Sequence, residues 1–136
     1  WALPVTFPLV MAIGSFVGVI GLPLPGAAIG VAFSGVALGL AVAFALRPPL
    51  WVAAVVISVF AIFHGHTHGT AVPLSGVPLA FGAGFMLATG LLHLCGIVIG
   101  LLIRWPSGSR LIRLGGAVVA ATGIFFLATH FSIVPG

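Results

Sequence analysis

Apolar runs of about twenty residues follow one another in this chain with only short breaks, and that pattern decides the class of fold. A helix needs about twenty apolar residues to cross the ~30 Å hydrocarbon core of a bilayer. Backbone polar groups inside that core must be satisfied internally, which leaves helices or closed barrels. The runs are continuous rather than alternating, so they read as helices. The first extends from about Pro4 to Leu22, with Pro8 near its first turn, and ends at Leu22-Pro23-Leu24-Pro25-Gly26. Two prolines and a glycine cannot continue a helix. The second runs from about Ala27 to Leu46, and Arg47-Pro48-Pro49 breaks the chain again. The third covers Leu50 to His64, followed by a Gly/Pro-bearing loop over Thr67 to Val77. The fourth, Pro78 to Arg104, is the longest. Pro106-Ser107-Gly108-Ser109 forms the next loop, with Ser109 as N-cap of a fifth span over Leu111 to Phe131. The expected fold class is all-α: a polytopic transmembrane helix bundle of about five spans, with residues 1–136 forming a single transmembrane domain.

Charge is scarce enough to exclude whole classes of function. Only 3% of the residues are charged, and none is Asp or Glu. General acid–base catalysis needs a partner to orient or balance an imidazole, and no carboxylate exists to do so. Without Lys there is no phosphate loop of the nucleotide-binding kind. The chain therefore reads as something other than an enzyme. Its formal +4 charge comes from four Arg, which in short membrane loops report orientation rather than nucleic-acid binding. Arg47 lies in one loop, and Arg104, Arg110 and Arg113 flank another. Alternating spans put those loops on the same side, which the positive-inside rule makes cytoplasmic. Cys95 is alone, so no internal disulfide can form.

Against this background His64-Gly65-His66-Thr67-His68-Gly69 stands out: three imidazoles in five residues, in a chain with no Lys, Asn, Gln or Tyr. A neutral imidazole is a strong ligand for first-row transition metals. If the segment is helical, His64 and His68 share a face and His66 points elsewhere. If Gly65 and Gly69 unwind it, all three converge. The plain alternative is a polar loop capping a helix. The orientation above puts the stretch at the outer end of the third span, with His130 at the same level. His93 falls near the midplane of the fourth span, where an imidazole is costly unless it meets water, a partner or a metal. Met86, Thr89, Gly90, Ile97 and Gly100 share its face; a hydrogen bond to a carbonyl or hydroxyl is the rival use of that histidine. Met86 reads as packing, and Cys95 points away from His93. Glycine pairs at four-residue spacing, such as Gly14/Gly18, Gly35/Gly39 and Gly65/Gly69, suit close helix packing in lipid.

Several stretches together resemble one family. Phe60-Ala61-Ile62-Phe63-His64-Gly65-His66-Thr67-His68-Gly69, Pro73, and Gly84-Phe85-Met86-Leu87-Ala88-Thr89-Gly90-Leu91-Leu92-His93 are similar to motifs of the HupE/UreJ family. Pro23-Leu24-Pro25-Gly26 before Gly30-Val31-Ala32-Phe33-Ser34, and Arg113-Leu114-Gly115-Gly116-Ala117, add to the likeness. These proteins are nickel permeases found beside hydrogenase and urease maturation proteins. The resemblance implies uptake of Ni²⁺ or Co²⁺ into the cytoplasm for metalloenzyme assembly. His64, His66 and His68 would receive the metal outside, and His93 would relay it. The family's first membrane helix, with its His-Pro…Asp-His signature, is expected upstream of Trp1, so the chain reads as N-terminally truncated. The family pattern carries acidic residues where this chain has Ala28 and Ala71.

The metal would be cargo, and no resident cofactor is expected. Imidazoles alone do not choose among nickel, cobalt and copper, because the Irving–Williams order favours copper. Two other readings stay open: haem held by His64 or His68 with His93, and an inactive structural fragment. Haem needs two imidazoles at similar depth, and the expected topology puts these at different depths. Partners are the metal ion and the lipid bilayer, with no nucleic acid; a homo-oligomer is compatible with the sequence.

Overall fold

A computed structural model describes residues 2–72 and 78–133. The described residues form five α-helices and no strand: α1 (Ala2–Val19), α2 (Ala27–Ala43), α3 (Leu50–Thr70), α4 (Pro78–Gly100) and α5 (Pro106–Ile133), with a 3-10 turn over Leu101–Arg104. Three segments are long and apolar enough to cross a membrane: Leu50–Thr70, Ala80–Arg104 and Pro106–Ser132, with mean hydropathies of 1.7, 2.3 and 2.0. The helices α1 and α2 are apolar but shorter. The all-helical membrane class expected from the sequence is what the chain adopts.

Four boundaries differ from the sequence expectation, each for a physical reason. Helix α3 does not stop at His64 but winds on to Thr70, so Thr67 to Thr70 are helix rather than loop. Glycines weaken a helix in water, yet in lipid the freed backbone groups find no substitute partner. Helix α5 begins at Pro106, where a proline's missing N–H costs nothing. The backbone N–H of Ser109 already bonds to the Trp105 carbonyl at 2.9 Å, so Ser109 sits in the first turn and is not an N-cap. Finally, α1 and α2 end sooner than expected, in matching C-terminal turns. In α1, Gly21 has φ +74 and the Leu22 N–H reaches back to the Val17 carbonyl. In α2, Ala45 takes the same left-handed place at φ 53, and the Leu46 N–H reaches the Ala41 carbonyl. Both are Schellman closures. The expected loop residues Pro73 to Val77 lie outside the described residues.

The helices gather into two compact units: one holds α1, α3 and α4 as far as Ile97, the other α2, the 3-10 turn and α5. In the first unit α1 and α3 run parallel, in backbone contact along a seam of small residues. A side-chain carbon added at Gly14 would strike the Ile62 carbonyl, and one at Gly18 the His66 carbonyl. From the other side, Gly65 faces Met11 and Gly69 faces Ser15. Ala61, Gly65 and Gly69 form the buried stripe of α3, and Met11, Gly14 and Gly18 that of α1. Such contact supplies association energy where no hydrophobic drive exists between helices in lipid. Helix α4 presents Leu87, Leu91, Leu92 and Val98 outward, as a lipid-facing helix does.

In the second unit α2 and α5 run antiparallel. Gly39 lies against Gly116 and Ala120, and Gly35 against Gly123. The end of α2 is closed from α5, where the Arg113 Nε–H donates to the Ala43 carbonyl at 2.7 Å. A cation there also complements the negative end of the α2 dipole.

Candidate metal-binding site

Because α3 is unbroken through the histidine stretch, its three imidazoles cannot converge. His64 and His68 lie one turn apart on one face, and His66 points elsewhere. His66 is 7% exposed, and its Nε2–H donates to the Leu22 carbonyl at 2.8 Å. That carbonyl is delivered by the closure of α1 at Gly21, so His66 ties the end of α1 to α3.

The opposite side of α3 meets aromatic rings. The Phe7 ring of α1 lies edge-on to the His64 imidazole, with centroids 6.1 Å apart. The same phenyl ring lies 5.3 Å from the His93 imidazole of α4. His68 packs against Phe85 of α4, with centroids 4.8 Å apart. His64 is thus joined to His93 only through Phe7, while His68 meets Phe85, eight residues earlier on α4; that order makes α3 and α4 antiparallel. Aromatic pairs at such spacings add specific attraction beyond the area they bury.

His93 is oriented by its own helix. Its Nδ1–H donates to the Thr89 carbonyl at 2.8 Å, which leaves Nε2 as the nitrogen with a lone pair. A backbone carbonyl on the far nitrogen is the usual way a ligating imidazole is held in one tautomer. The rival expectation, a histidine merely satisfied by a carbonyl, uses the same bond and only one of the two nitrogens. A shallow recess of about 410 Å³ opens beside His93, lined by Leu92, Gly96 and Ile97.

The four candidate ligands thus separate. His64 and His68 stand together on α3, His93 shares Phe7 with His64, and His66 is turned away into the α1–α3 seam. Among the described residues no group of three or more His, Cys, Asp or Glu comes together as a metal site. His130 belongs to the other unit and packs edge-on against Phe131. Met86 and Cys95 are exposed.

The sequence placed His93 deeper than His64, but both rings touch Phe7. The difference arises because α3 continues six residues past His64, carrying that imidazole roughly 9 Å inside the helix end. Two-imidazole ligation of haem is therefore not disfavoured by depth; Phe7 opposes it, since its ring packs against both imidazoles where a macrocycle would have to fit. The packing roles of Phe7 and Phe85 escaped sequence reasoning because α1 and α4 are apolar almost throughout. The spacing of Phe7, Met11, Gly14 and Gly18 was the available signal for the face that α1 turns to α3.

Comparison with known proteins agrees with this architecture. The family model described as HupE / UreJ protein matches residues 1–126. Protein HupE of Rhizobium leguminosarum bv. viciae is 38% identical over 127 residues, covering 93% of this chain and 66% of that protein. The chain thus spans just under two thirds of that relative's length. No solved structure matches it. A match running from the first helix nearly to the end of α5, through both histidine-bearing helices, settles the relationship: the chain belongs to the HupE/UreJ family.

Proposed function

We propose that this chain is the membrane-embedded part of a permease for a divalent transition metal, nickel or cobalt, that supplies metalloenzyme assembly. Its family is one of membrane transport and accessory proteins rather than enzymes. The observation that carries the reading is the placing of imidazoles along one unit that is otherwise almost wholly apolar: His64 and His93 on either side of Phe7, and His68 one turn from His64 against Phe85. His64 and His68 take the ion from the outer side of a bacterial inner membrane, and His93, with Nε2 left available by Thr89, receives it next. His66 contributes by fixing the end of α1 rather than as an equal ligand.

Uptake of ⁶³Ni by cells expressing the natural full-length protein tests this. His64→Ala/His68→Ala is expected to abolish both Ni²⁺ binding and uptake. His93→Leu is expected to keep binding and lose uptake. Normal uptake by both variants would refute the route. Cobalt added in excess distinguishes the metals, since it suppresses ⁶³Ni uptake only if both share the path.

A further inference from the structure

At the start of α5 the structure carries a second polar feature that the metal route does not use. Arg110 and Arg113 stand one turn apart and, with Ala43, Leu114 and Ala117, line an open recess of about 420 Å³ between the end of α2 and α5. Arg113 is fixed there, because its Nε–H is committed to the Ala43 carbonyl. The terminal nitrogens of its guanidinium remain as a planar pair of donors, the geometry that takes a phosphate bidentately. Nothing in the chain can neutralise these charges, since it contains no Asp or Glu at all.

Depth indicates where the counter-charge comes from. Helix α5 has 28 residues, or roughly 42 Å at 1.5 Å per residue, about 12 Å more than a bilayer core requires. Arg113 lies seven residues from its start, roughly 10 Å along the axis, at the level where that excess meets the headgroups. Below it Leu114 and Val118 are exposed apolar surface suited to an acyl chain.

We infer that Arg110 and Arg113 form a binding site for the phosphodiester headgroup of an anionic phospholipid, with the acyl chains lying along Leu114 and Val118. The site stands apart from metal transport and does not depend on it. Native mass spectrometry of the purified full chain tests it, with added phosphatidylglycerol, phosphatidylcholine or inorganic phosphate as probes. One phosphatidylglycerol per chain is expected to be retained about tenfold over phosphatidylcholine. Because one basic residue at an anionic surface accounts for about fivefold in binding, Arg110→Gln should lower retention about fivefold. It does so without touching the Arg113–Ala43 bond, so loss of folding cannot mimic it. Arg110→Gln/Arg113→Gln should fall to the phosphatidylcholine level, and Arg47→Gln should behave as wild type. Unchanged retention in both Arg110 variants would overturn the site. An equal loss in Arg47→Gln would reduce it to net charge. Binding of inorganic phosphate in place of the lipid would overturn the membrane source.

Discussion

Gly65→Ala offers the sharpest test of how α1 and α3 are held. The added methyl would collide with the Met11 carbonyl oxygen and stand 2.8 Å from the Ser15 backbone nitrogen. Both obstacles are main chain and cannot swing aside, so the helices must part by about 1 Å to restore ordinary carbon contacts. A gap of that size forfeits about a quarter to a half of the dispersion energy across the seam. With roughly 25 close atom pairs at ~0.15 kcal/mol each, the loss is about 1–2 kcal/mol. Alanine's better helix propensity returns little, because in a bilayer the separated helices are already formed. The assay is an SDS titration in mixed micelles read by tryptophan fluorescence, with Gly96→Ala as the partner measurement. Gly96 has nothing within 4 Å of an added carbon and should be neutral. Equal stability of Gly65→Ala and wild type, or equal damage from Gly96→Ala, would refute the glycine seam.

Three further outcomes are expected. Ala45 occupies a left-handed position at φ 53, so Ala45→Gly should stabilise the chain by about 1 kcal/mol in the same titration; a loss of stability would deny the strain. A membrane-impermeant thiol reagent should reach Thr70→Cys in intact cells and Ser107→Cys only after permeabilisation, both measured in a Cys95→Ala background; the reverse pattern would invert the orientation. Ni²⁺ affinity measured by equilibrium dialysis should fall as the pH is lowered, because an imidazole must be neutral to bind a metal. The sign follows from competition: protons displace metal as pH drops, and His130→Ala should leave the profile unchanged.

The class of fold was legible because spanning a bilayer demands long apolar runs, and Pro23, Pro25 and Pro48 marked where they stop. Helix ends were less legible. A chain in lipid holds its hydrogen bonds through Gly65 and Gly69, residues that weaken a helix in water, so Thr67 to Thr70, read as loop, are helix. The facing of helices was hidden for a related reason, since uniformly apolar helices carry no polar side to mark the outside. Spacing compensated in part: His64 and His68 share a face, as four-residue separation requires. The turn of His66 toward Leu22 was not legible, because it depends on where the closure of α1 leaves a carbonyl. Nor was Phe7, whose role rests on two neighbours more than fifty residues away.

The lack of any carboxylate among these helices has an electrical consequence. Imidazoles bind a divalent ion without cancelling its charge, so each ion handed from His64 toward His93 along the proposed route carries both charges with it through the field. Moving one elementary charge across 100 mV is worth about 2.3 kcal/mol, so a divalent ion travelling inward on an inside-negative membrane gains about 4.6 kcal/mol per 100 mV. That corresponds to more than a thousandfold accumulation. Along the proposed route, collapsing the membrane potential with an ionophore would remove that accumulation while leaving the histidines loaded.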